Sequence, residues 1–149
     1  MNKKHFAVGV VAVLLAACKP AAPAVTVTIT GPAEGDTVRA AEVLITLSVS
    51  GIELAPVAEQ RAGTAHHHLY LDTDFPALDS PIPAGQANIV HLGQAQTEYL
   101  WQGVSPGPHR IIAVLADPAH VPLKPYVTDT VNIVVVSPAP PPPADSVPR

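Results

Sequence analysis

Apolar residues in this chain recur at every second position in short runs, and prolines are scattered between the runs. That pattern admits strands and excludes long helices. A strand sends alternate side chains to opposite faces, and an interior proline breaks a helix. Val25-Thr26-Val27-Thr28-Ile29-Thr30 is a β-branched alternating segment. Val43, Ile45, Leu47 and Val49 alternate with Leu44, Thr46, Ser48 and Ser50. His109, Ile111, Ala113 and Leu115 alternate with Arg110, Ile112, Val114 and Ala116. Further strands are expected at 65–72, 87–92, 96–101 and 127–136. Gly31 to Asp36 and Ser105 to Pro108 are turn clusters. About seven short strands and no helix in the folded part predict an all-β fold, an immunoglobulin-like antiparallel β-sandwich over residues 25–136. The long loop Thr73 to Gln86 carries Phe75, Leu78 and Ile82, so it is expected to pack down rather than stay loose.

Cys18 is the only cysteine, which excludes an internal disulfide and any cysteine-based metal site in the fold. Lys3 and Lys4 precede an apolar run, Phe6 to Ala17, that is shorter than the ~20 residues of a membrane span. The run ends in Leu15-Ala16-Ala17-Cys18, which resembles the bacterial lipobox. Residues 1–17 therefore read as a lipoprotein signal peptide and Cys18 as the lipidation site, with residues 18–24 a tether to the membrane. The alternative is an ordinary secretory signal that leaves a free thiol. Lys19 is not the aspartate of inner-membrane retention, which points to the periplasmic face of the outer membrane as the place in the cell envelope. Residues 137–149, with six prolines, are expected to form a disordered tail. Loss of the signal leaves six Lys/Arg (8 − 2) against 12 Asp/Glu, a formal charge of −6 that excludes a nucleic-acid partner.

The chemistry concentrates in Gly63-Thr64-Ala65-His66-His67-His68-Leu69-Tyr70-Leu71-Asp72. As a strand it puts His66, His68, Tyr70 and Asp72 on one face and His67, Leu69 and Leu71 on the other. His67 then faces the core and bonds to backbone. His66 and His68, roughly 7 Å apart at their bases, can converge on one metal ion at ~2.0 Å from each nitrogen. Candidate completing ligands are Asp72 on the same strand and, from other segments, His91 and His120, each following or ending a strand, and Asp117. The only methionine, Met1, leaves with the signal, so thioether copper(I) sites are excluded and copper(II) or zinc remains. The alternative is that these histidines tie loops to the sandwich; His67 and His109 fit it best, since each shares a face with aliphatic residues. On that reading the protein is a non-catalytic structural or adaptor module binding an envelope protein or a glycan. Tyr99 and Trp101 then form either a contact patch or core packing. The chain has no nucleophile motif or paired-carboxylate arrangement and does not read as an enzyme. Only a metal-assisted hydrolase or oxidase, with Asp72 and Asp74 beside the histidines, stays open.

Several of these strings occur together in one known family. Gly63-Thr-Ala-His-His-His-Leu-Tyr-Leu-Asp72-Thr-Asp74, Asp79-Ser-Pro-Ile-Pro83, His91-Leu-Gly-Gln-Ala-Gln96-Thr-Glu98, Pro106-Gly-Pro-His109 and Leu115-Ala-Asp117-Pro-Ala-His120 run in the order seen there. The chain resembles the domain of unknown function 4399 family, bacterial and mostly exported domains, over almost all of residues 25–136. The resemblance implies a small β-rich domain and no established activity. Relatives often carry a His-x-His pair where this chain has Val90-His91, and a further histidine where it has Leu123 and Lys124; if those positions bind a ligand in relatives, the site here is thinner.

Overall fold

The computed structural model describes residues 23–39, 41–76 and 79–138. The expected signal peptide, Cys18, most of the tether, Leu78 and the tail beyond Pro138 lie outside the described residues.

Nine strands form among the described residues: β1 Thr26–Gly31, β2 Thr37–Val38, β3 Glu42–Ser50, β4 Glu53–Leu54, β5 Thr64–Leu71, β6 Ile89–Leu92, β7 Glu98–Gln102, β8 Gly107–Ala116 and β9 Thr128–Val135. The helical content among the described residues is one 3-10 turn, Val57–Glu59. One sheet has the order β1-β3-β7. The other runs β2-β9-β8-β5, and β4 and β6 share the remaining edge of β5. The all-β, two-sheet arrangement is the one that the period-two runs require. Val27, Ile29, Ile45, Leu47 and Trp101 face Leu69, Ile111, Leu115, Ile133 and Val135 across the core.

Two differences from the expected architecture are informative, and one open alternative is decided. The pairings β2–β9 and β4–β5 are parallel, within an otherwise antiparallel fold. Each is two residues long, too short to leave a periodic trace in sequence. Tyr99 and Trp101 are not a contact patch. Their rings meet edge to face at 5.7 Å, and Trp101 is buried in the core with Tyr99 packed against it. Finally, β5 and the second half of β8 are buried on both faces, as a one-sided sandwich strand is not. The outer face of this sheet is covered by the segment between β5 and β6. Phe75, Ile82 and Ile89 pack there on Tyr70, Ile112, Val114 and Ala116. Phe75 and Ile82 thus pack down as expected, and between this cover and the sheet lie the histidines.

Candidate metal centre

The alternation of β5 holds through Leu71 and sorts its three histidines. His67 points inward beside Ala65 and Leu69, and its Nδ1–H donates to the Gln96 carbonyl at 3.0 Å. Burial pushes its pKa down, partly offset by that bond. His66 and His68 point outward on the face of Tyr70. There they are 1 % and 2 % exposed.

Two other segments bring imidazoles to that face. In the β5–β6 ladder His68 stands directly opposite His91, so their Cβ atoms lie about 4.5–5.5 Å apart. The His91 ring folds back over Gly93, two positions on: a Cβ at Gly93 would sit 2.3 Å from His91 Cε1 and 2.6 Å from its Nε2. Only glycine there leaves the ring in place. His120 arrives on the turn after β8. Asp117 builds that turn: its Oδ1 accepts the N–H groups of Ala119 and Val121, and its carbonyl accepts the N–H of His120 at 2.8 Å. His120 takes a left-handed conformation, φ 66°, which few non-glycine residues adopt. Its carbonyl accepts the Ile82 N–H at 2.9 Å, tying the turn to the covering segment.

The four rings form one cluster. Their centres are 4.9 Å apart for His66–His68, 4.8 Å for His66–His91, 4.9 Å for His66–His120, 5.0 Å for His68–His91, 5.8 Å for His68–His120 and 4.7 Å for His91–His120. His66, His91 and His120 each offer a ligand atom within 4.8 Å of the others. His66 Nε2 and His68 Nε2 lie 3.0 Å apart, while the Nδ1 atoms of both are buried without a partner. Burial, and then the neighbouring imidazoles, pushes the pKa of both His66 and His68 down to about 3. His91 is also lowered, by burial and then by His120. Such rings stay neutral at physiological pH and keep lone pairs, the form in which histidine binds metals.

Two expected carboxylate ligands are corrected. Asp72 does not join the histidines, because the strand ends at Leu71 and Asp72 adopts φ 51°, which turns its side chain off the alternating face. Its carboxylate instead accepts His109 Nδ1–H at 2.6 Å and the Arg110 N–H at 2.9 Å. Asp117 is spent on the turn that presents His120. His109 is no ligand either. Both its ring nitrogens donate, to Asp72 and to the Ser105 carbonyl, so it has no lone pair to give. Burial alone would lower its pKa, but those two bonds and the Asp72 charge outweigh it and raise the value. Asp74, the other carboxylate near the triplet in sequence, pairs with Arg110 at 2.5 Å. A glycine two positions after a strand histidine, as Gly93 is after His91, is a sign in the sequence of space for the ring.

Comparison with solved structures finds distant β-domain likenesses. The fibronectin(III)-like modules of Clostridium thermocellum CbhA are 18% identical, over 76% of this chain and 100% of that one, at a TM-score of 0.48. The CARDB domain of a Pyrococcus furiosus protein, solved in complex with di-metal ions, is 20% identical over 78% of this chain and 96% of that one, at a TM-score of 0.39. No curated protein matches. The family model described as Domain of unknown function (DUF4399) matches residues 45–136, a stretch that holds all four clustered histidines, and the chain belongs to that family.

Proposed function

We propose that this protein is a lipid-anchored protein of the cell envelope that binds one transition-metal ion, copper(II) or zinc, between His66, His68, His91 and His120. One observation carries the proposal. With nitrogen about 2.0–2.1 Å from the metal and the ring centre about 1.1 Å beyond it, four imidazoles set tetrahedrally have ring centres roughly 5 Å apart. The six separations in the cluster run from 4.7 to 5.8 Å. The ligand atoms of His66, His91 and His120 stand wider apart, at up to 4.8 Å, than the ~3.3 Å edge of a tetrahedral zinc site. Closing therefore falls to His91, which is exposed, and to His120, which is half-buried on its turn. An all-imidazole donor set suits copper(II) and zinc and disfavours magnesium and calcium.

The role proposed is binding rather than catalysis, in keeping with a cluster of four imidazoles and with Asp72 and Asp74 engaged by His109 and Arg110 away from it. The lipobox-like Leu15-Ala16-Ala17-Cys18 supports anchoring through Cys18, at the periplasmic face of the outer membrane, where an envelope protein is the natural partner. The test is titration calorimetry of the mature chain with copper(II) and with zinc. One ion per chain is expected, with tight binding lost in His66→Ala and in His91→Ala. Heat absent for both ions, or binding unchanged in both variants, overturns the proposal.

A further inference from the structure

We infer that the metal centre takes a small monoanion with a short apolar body, of the short-chain carboxylate class, as an exogenous ligand from the cleft beside it. This deepens the metal-binding reading and rests on it.

A cleft of ≈ 260 Å³ opens next to the cluster. His68, His91 and His120 line it, and His66 does not. A ligand in the cleft therefore meets three of the four imidazoles, and it joins the metal as a fifth ligand, by expansion of the four-coordinate site. The remaining wall is Ile82, Pro83, Ala84, Gly85 and Ile89. Ile82 is 4 % exposed, and its N–H bond to the His120 carbonyl fixes this wall to a ligand-bearing turn.

Charge decides what the cleft takes. Four neutral imidazoles leave a divalent ion both of its charges. The carboxylates that might offset them are committed elsewhere: Asp72 to His109 and Arg110, Asp74 to Arg110, and Asp117 to the N–H groups of Ala119 and Val121. Among the described residues no Asp or Glu lines the cleft. A partly buried net charge of this kind is costly, and an anion from solvent relieves it. The walls then select among anions. Sulfate or phosphate would lose strong hydration against isoleucine and proline and gain nothing back. A monocarboxylate places its oxygens at the metal and its alkyl chain on Ile82 and Ile89. Each added methylene that reaches the wall tightens binding about fourfold.

The experiment uses the mature chain loaded with copper(II), titrated separately with formate, acetate, propionate, butyrate and sulfate. Visible absorption and electron paramagnetic resonance of the copper report binding. A change in the copper spectrum is expected with each monocarboxylate, at concentrations that fall about fourfold per methylene, and none with sulfate. Ile89→Thr, a change at a half-buried wall position, should weaken butyrate and spare both formate and the affinity for copper. An unchanged spectrum with every anion, or equal affinities for formate and butyrate, overturns the inference and leaves the metal site standing. Failure of the chain to bind copper at all overturns the metal-binding reading and this inference with it.

Discussion

Acid should unfold the metal-free protein well before its carboxylates protonate. In the unfolded chain His66 and His68 titrate near pH 6.5; in the fold their pKa is about 3. Above pH 6.5 both rings are neutral in either state and contribute nothing to the pH dependence. Below it the unfolded chain takes up protons that the folded chain refuses, so stability falls as pH falls. Each ring costs about 1.4 kcal/mol per pH unit. Across the ~1.5 units from pH 6.5 to 5 the pair therefore removes ~4 kcal/mol, a large share of the 5–15 kcal/mol typical of a domain. His109 acts with the opposite sign. Its raised folded pKa adds stability that is fully present below pH 6.5 and is lost as pH rises through the folded value. The assay is urea unfolding in the presence of a chelator, from pH 7.5 to 4.5. The urea midpoint should drop steeply below pH 6.5, and the double change His66→Gln, His68→Gln should flatten the drop. A midpoint that is level between pH 7.5 and 5 would refute the burial of two neutral imidazoles.

Gly93→Ala should displace the His91 ring and weaken metal binding by about tenfold, the effect of losing support next to a ligand. It should have no further effect in a His91→Ala background, as competition titrations on the two pairs will show. Asp72→Asn should lower the pKa of His109, read by proton NMR titration, and lower the melting temperature by several degrees. Metal affinity should not change, because the carboxylate is not a ligand. Cys18→Ser should move the protein from the membrane fraction to the soluble fraction or block its processing, followed by fractionation and mass spectrometry; unchanged membrane association would refute lipid anchoring.

The split of the triplet was legible because an eight-residue strand keeps strict alternation: His67 goes in, His66 and His68 go out. That logic failed one residue past the strand, at Asp72, where a left-handed residue ends the period. Asp72-Thr73-Asp74 has the composition of a turn, which was the available warning. That His91 joins His66 and His68 was legible from its place at the end of a strand; its exact position opposite His68 was not. It depends on the register of β6, which is set by how the covering segment packs through Phe75 and Ile82, and no local pattern encodes that. His120 was expected near the end of a strand, but its place rests on the three bonds made by Asp117, a residue that sequence suggested as a ligand and that instead shapes the turn.

Crystals of the mature chain soaked separately in copper(II) and zinc, with anomalous difference maps collected at each metal edge, test the metal site most directly. The clustered imidazoles call for one strong peak on the outer face of β5, about 2.0–2.1 Å from a ring nitrogen of each of His66, His91 and His120, with His68 as the fourth ligand. A peak only at surface carboxylates, or no peak among the four rings, would contradict it.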